Sequence, residues 1–304
     1  MGGPPKGHPM SQPIPAEPPV EATADGAPVV AIADPGEVGR ATHNRGDRVV
    51  VAISNVFAWL LPILMLAIVV QVLLRNFGRI DVGPGNQAWL DDLQWWLYGA
   101  AVLVGVAYAV TTNSHVRVDI FYDGFRPAKQ RRYDIFGLAW LFLPFVILCW
   151  DVTLDYSIAS VKAGEGSDSP NGLHRLYLLK VFMNLSFLFI AAATWFAYVR
   201  MLGRLTWPHW WKRLLFAFPA TWYAIQLGVF YAGTWGMVAL GLAEDHRRAT
   251  RADVFGEVDL FWNQEGKPSV LVALLILLAL IALTYALRDR SRDGRPGPDA
   301  DGVA

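Results

Sequence analysis

Six apolar runs, parted by shorter polar stretches, set the rhythm of the chain: Val49–Leu74, Leu93–Thr112, Ile135–Tyr156, Tyr177–Met201, Leu214–Leu242 and Ser269–Leu287. Each is close to or above the roughly 20 apolar residues that a helix needs to cross a bilayer. The pattern predicts an all-α, polytopic membrane protein. The first run exceeds the minimum and can tilt. Trp95 and Trp96 open the second run at interface depth, and Ala101, Gly105 and Ala109 recur along it every four residues, a small-residue face that admits close approach of another helix. Gly228, Ala232 and Gly236 form a second such face in the fifth run.

The polar stretches differ in character. Residues 1–47 are rich in Pro, Gly, Ala and charge and are expected to form a disordered tail; the tail lacks the short apolar core of a signal peptide. The segment from Arg288 is charged, then Gly/Pro-rich, and is expected to be disordered too. Ser157–Leu176 is a turn-rich loop containing AGEGSDSPNGL. Thr206–Arg213, TWPHWWKR, sets three Trp beside Lys and Arg, the signature of an interfacial segment. Ala243–Lys267 is polar, with charges of both signs beside Phe255, Phe261 and Trp262.

Charge orients this pattern. The net charge is zero, from 26 basic and 26 acidic residues, so its placement carries the information. Nothing in that balance calls for a nucleic-acid partner. Placing both termini on one side puts 16 Lys and Arg there and 9 on the other, with Lys6 far out in the tail. Five of the 16 (Arg117, Arg126, Lys129, Arg131, Arg132) crowd the loop between the second and third runs. The positive-inside rule then predicts a cytoplasmic N-terminus, C-terminus and central loop.

Candidate chemistry is sparse. There is no Gly-rich phosphate loop. The six histidines fall in loops, tails or the interfacial segment, leaving no axial ligands for an intramembrane haem. The single cysteine, Cys149, lies in an apolar run and reads as a small buried hydrophobe, without a disulfide or a Cys-based metal site. No nucleophile–base pair stands inside the apolar runs, so neither an enzyme nor a cofactor is expected. The intramembrane ionisable residues are Asp151, Asp155 and Lys180, near one end of the third and fourth runs. Their plain reading is an ion pair between Lys180 and one aspartate; the sharper one is a cation or substrate site.

Several residues together resemble a known family, the small membrane (permease) subunit of tripartite ATP-independent periplasmic (TRAP) transporters, a DctQ-like protein. Arg75 closes the first run; Trp89 and, three positions on, Asp92 open the second, with Asp where Glu is usual. His115-Val116-Arg117-Val118-Asp119 follows it, then Tyr122, Pro127, Arg131-Arg132, Asp134 and Gly137. Gly164-Glu165-Gly166-Ser167 is similar to the family's external loop. The likeness spans about Val49–Leu202. It implies a four-helix core (residues 48–203) that braces a large permease subunit, in an inner-membrane importer of organic acids driven by sodium and served by a periplasmic substrate-binding protein. An Arg117–Asp119 pair is expected to fix the central loop. Residues 204–287 then form an extension with two further transmembrane helices. The alternatives are a self-sufficient channel or carrier, for which polar residues at mid-bilayer are nearly absent, and a membrane anchor for another complex.

Overall fold

The structure, a computed structural model, describes residues 40–293 apart from 81, 84, 116–121, 123, 170, 262 and 263, and gives 259–261, 264 and 265 as backbone only. Long helices occupy the apolar runs. Arg45–Arg79, Ala88–Thr112, Pro127–Ala163, Tyr177–Leu205 and Pro268–Ala286 are each long and apolar enough to cross a membrane. They are called here the first, second, third, fourth and sixth helices. The fifth is Phe218–Ala239, entered through a short helix, Trp210–Phe216, that lies at 94° to it; the two together meet the same criterion. The fifth run therefore does not start a straight helix at Leu214. The chain turns at Ala217, and Pro219, whose missing N–H costs nothing in a first turn, sits just past the turn. The expected helical membrane fold is the one observed, with one small addition: Val258–Phe261 and Gln264–Gly266 pair as an antiparallel hairpin within the polar segment before the sixth helix.

The third helix is not uniform. Gly137–Phe142 is wound as a π-helix, directly before Pro144. A proline cannot donate to the carbonyl four residues back, and its ring crowds that carbonyl; the wider turn relieves both. The second helix ends at Asn113 (φ 59°) and the third at Gly164 (φ 60°), both left-handed caps that stop a helix cleanly.

The first four helices enclose a core of Val50, Ala107, Val146, Ile190 and Ala193. A second cluster, Ile135, Ala139, Tyr198, Leu202 and Ala217, joins the third and fourth helices to the turn before the fifth. Each cluster sets two alanines among larger side chains, and the alanines let helices approach closely where lipid offers no hydrophobic drive. The extension sits on one flank. The fifth helix touches the third, and the sixth packs on the fifth and on the short helix. Trp140 donates its indole N–H to the Phe216 carbonyl (2.8 Å), and the Tyr198 hydroxyl donates to the Arg213 carbonyl (2.9 Å). The interfacial segment is thus tied to the core at both of its long neighbours.

Candidate functional site

The family-like residues gather at two ends of the core. At the end carrying the basic helix turn Pro127–Arg132, a groove of about 540 Å³ opens between the second helix and the start of the third. His115, Tyr122, Asp134 and Gly137 line it, together with Ala109 and Asn113. The Tyr122 hydroxyl donates to Asp134 (2.7 Å), and the Gln130 amide donates to the Tyr122 carbonyl (2.9 Å), so the loop is pinned to the third helix. A Cβ added at Gly137 or at Gly105 would meet nothing within 4 Å. The small-residue face of the second helix at Gly105 and the adjoining groove at Gly137 are therefore unfilled by the described residues. Arg117 and Asp119 lie outside the described residues.

Beside this groove stands a polar cluster that the sequence pattern does not announce. Asp47, fully buried, forms an ion pair with Arg200 (2.6 Å), whose guanidinium also donates to the Thr111 carbonyl (2.6 Å). Asn44 caps the first helix on the Asp47 N–H while its own N–H donates to the Asp47 carboxylate, and its amide donates to the Phe196 carbonyl. One carboxylate thereby fastens the first, second and fourth helices. Arg200 counts among the flanking charges of the orientation argument, yet its side chain is 5% exposed. Asp47 closes the stretch expected to be a disordered tail, and the first helix starts at Arg45 instead. The signal was present as Asn44-x-x-Asp47 before an apolar run, a capping-box spacing. His43 is buried against this pair; burial and the Arg200 charge hold its pKa below the ordinary histidine value.

At the opposite end the expected Lys180–aspartate pair is replaced by another. Lys180 meets Glu165 (2.5 Å) and lies over the Tyr156 ring at 4.0 Å, while the Ser160 hydroxyl donates to the same carboxylate (2.6 Å). Gly164 turns the chain so that Glu165 faces back toward the fourth helix, which the antiparallel geometry alone could not foretell. The hydrogen bonds from Lys180 and Ser160 hold the Glu165 carboxyl below its ordinary range. Asn184 bridges to the Trp150 carbonyl (2.8 Å) and to Thr153 (2.9 Å). Asp92 accepts from the Leu173 N–H (2.8 Å), stapling the turn-rich loop to the second helix. Gln71, 5% exposed, hydrogen-bonds to Asp91 and Gln94. Arg75 and Trp89 are exposed.

Asp151 has a different role. It accepts from Tyr231 (2.6 Å) and Tyr223 (3.0 Å), both on the fifth helix, and Trp150 packs edge-on against Tyr231. Asp155 is exposed. Cys149 is free and only partly buried. Among the described residues, no group of His, Cys, Asp or Glu could hold a metal ion.

Residues 64–206 match the family described as tripartite ATP-independent periplasmic transporters, DctQ component. Within these bounds the core is similar to a DctQ domain. The match covers a little under half of the chain and ends at Thr206, where the interfacial segment begins. Neither the curated proteins nor the solved structures gave a match. The DctQ stretch contains the groove, Arg200 with Thr111, the Glu165–Lys180 pair and Asp151; Asp47, Tyr223 and Tyr231 lie outside it.

Proposed function

We propose that this chain is the non-catalytic scaffold subunit of a sodium-coupled TRAP importer of organic acids, held in the bacterial inner membrane with both termini cytoplasmic. It braces a large permease subunit that receives substrate from a periplasmic binding protein. Residues 48–203 act as the family core and 204–287 as an extension that widens the scaffold, with Ala243–Lys267 contributing to the periplasmic face. The observation that carries this reading is the groove of His115, Tyr122, Asp134 and Gly137, set beside a helix face on which Gly105 leaves open space. Some of the residues by which the family resemblance is drawn thus border a surface that the described residues leave uncovered, and small residues there permit a partner helix to approach closely.

The test is capture of the tagged full-length chain in mild detergent, with identification of what accompanies it. A multi-span permease should co-purify, and Gly105→Leu with Gly137→Leu should weaken capture while leaving the melting temperature of the isolated chain unchanged. A homo-oligomer with no permease would sink the scaffold reading. Retention of the permease by the double variant would move the contact elsewhere.

A further inference from the structure

We infer that an anionic phospholipid binds in a groove at the seam between the DctQ core and the extension, with its phosphate at Arg132 and an acyl chain against Phe136, Trp140, Leu202, Leu205 and Phe216. The groove measures about 390 Å³ and lies where the chain turns through 94° between the short helix and the fifth. A turn that sharp cannot keep Phe216 packed along the third and fourth helices, and a wedge is left between them.

Two features select the occupant. The walls are apolar and open to the surroundings: Phe136 is 48% exposed and Phe216 43%. The rim carries a cation, Arg132, which among the described residues makes no ion pair or hydrogen bond and is exposed. Arg131 and Lys129 stand on the same short stretch of helix, which holds one acidic residue, Asp134, already engaged by Tyr122. The depth is set independently. Trp140 forms one wall with its N–H on the Phe216 carbonyl, and Trp210, Trp211 and Lys212 follow the interfacial pattern next to it. A cation above an apolar wedge at headgroup depth is complementary to a lipid with a negative head and a hydrocarbon tail. A protein helix would leave that charge unmatched. The larger apolar groove between the third, fourth and fifth helices has no cation on its lining and lacks this selectivity. The site needs only the fold of this chain, so it stands or falls separately from the scaffold reading.

Native mass spectrometry of the full-length chain in detergent tests it, with phosphatidylglycerol and phosphatidylcholine of identical acyl chains as probes. Wild type should retain phosphatidylglycerol in preference to phosphatidylcholine. Arg132→Gln should reduce that preference roughly fivefold, the factor that one near-surface cation contributes, at an unchanged melting temperature. Leu205→Trp, which fills the wedge, should reduce retention of both lipids, whereas Arg248→Gln in the distant polar segment should change neither. Equal retention of the two lipids by wild type, or an undiminished preference in Arg132→Gln, would overturn the proposal. So would displacement of the lipid by inorganic phosphate at matched ionic strength, which would mark a site for a free anion.

Discussion

Removing the Asp47 carboxylate leaves Arg200 buried without its counter-charge, and that is costlier than losing the pair. Asp47→Asn should lower stability by about 3–5 kcal/mol, the range for breaking a buried pair from one side. An Asp47→Leu, Arg200→Met double variant should lose much less than the sum of the two singles. Thermal melts of the detergent-solubilised chain read both. His43 adds a pH signature. Its folded pKa lies below the ordinary value, so the unfolded chain binds the proton first as pH falls. That stabilising contribution is present above the ordinary histidine range and is lost as pH drops through it. The melting temperature of wild type should therefore fall more steeply from pH 7.5 to 5 than that of His43→Asn. The charge count along the chain includes Arg200, but a count cannot distinguish a solvated arginine from one that points inward. That distinction needs the fourth helix to present position 200 to the N-terminus of the first.

Helix ends and helix pairing follow the same division. The π-turn before Pro144 and the caps at Asn113 and Gly164 are local chemistry. How the fifth helix attaches is not. Asp151 reads in isolation as a membrane carboxylate in need of a cation, with Lys180 the nearest choice along an antiparallel pair. The structure gives it two tyrosine hydroxyls that lie 72 and 80 positions away. Asp151→Leu should leave Tyr223 and Tyr231 with unpaired hydroxyls at about 1–3 kcal/mol each where water is excluded. Amide exchange should then rise in Phe218–Ala239 and remain unchanged in the first helix, which Asp47 and Arg200 fasten to the second and fourth helices. Uniformly raised exchange would show that the extension and the core unfold as one unit.

For the whole molecule, the seam matters more than the number of helices. The short helix, the fifth helix and the sixth helix are held to the core by Trp140, Tyr198, Ala217 and Asp151. A chain ending at Leu205 should still fold, since the Asp47–Arg200 and Glu165–Lys180 pairs and the Val50–Ala193 core remain, but with Trp140 and Tyr198 stripped of partners. We expect it to melt lower than the full chain and to support less assembly and uptake. Full assembly and uptake by the truncated form would mean that the extension is dispensable to the scaffold.

The apolar pattern by itself determined that this is a helical membrane protein, because hydrocarbon tolerates few other backbones and the lengths of the runs meet a fixed thickness. It also set the helix limits to within about five residues, except in the third helix, which extends well past its apolar run at both ends as Pro127–Ala163, and it marked the motif that the DctQ match covers. Three things waited on the tertiary structure: the inward turn of Arg200 to Asp47, the choice of Glu165 over an aspartate by Lys180, and the embrace of Asp151 by the fifth helix. The physical reason is common to them. Helix formation is decided by neighbours along the chain, whereas a buried charge is paired by whatever group the packing carries to it. In a bundle of antiparallel helices that group can lie 150 residues away.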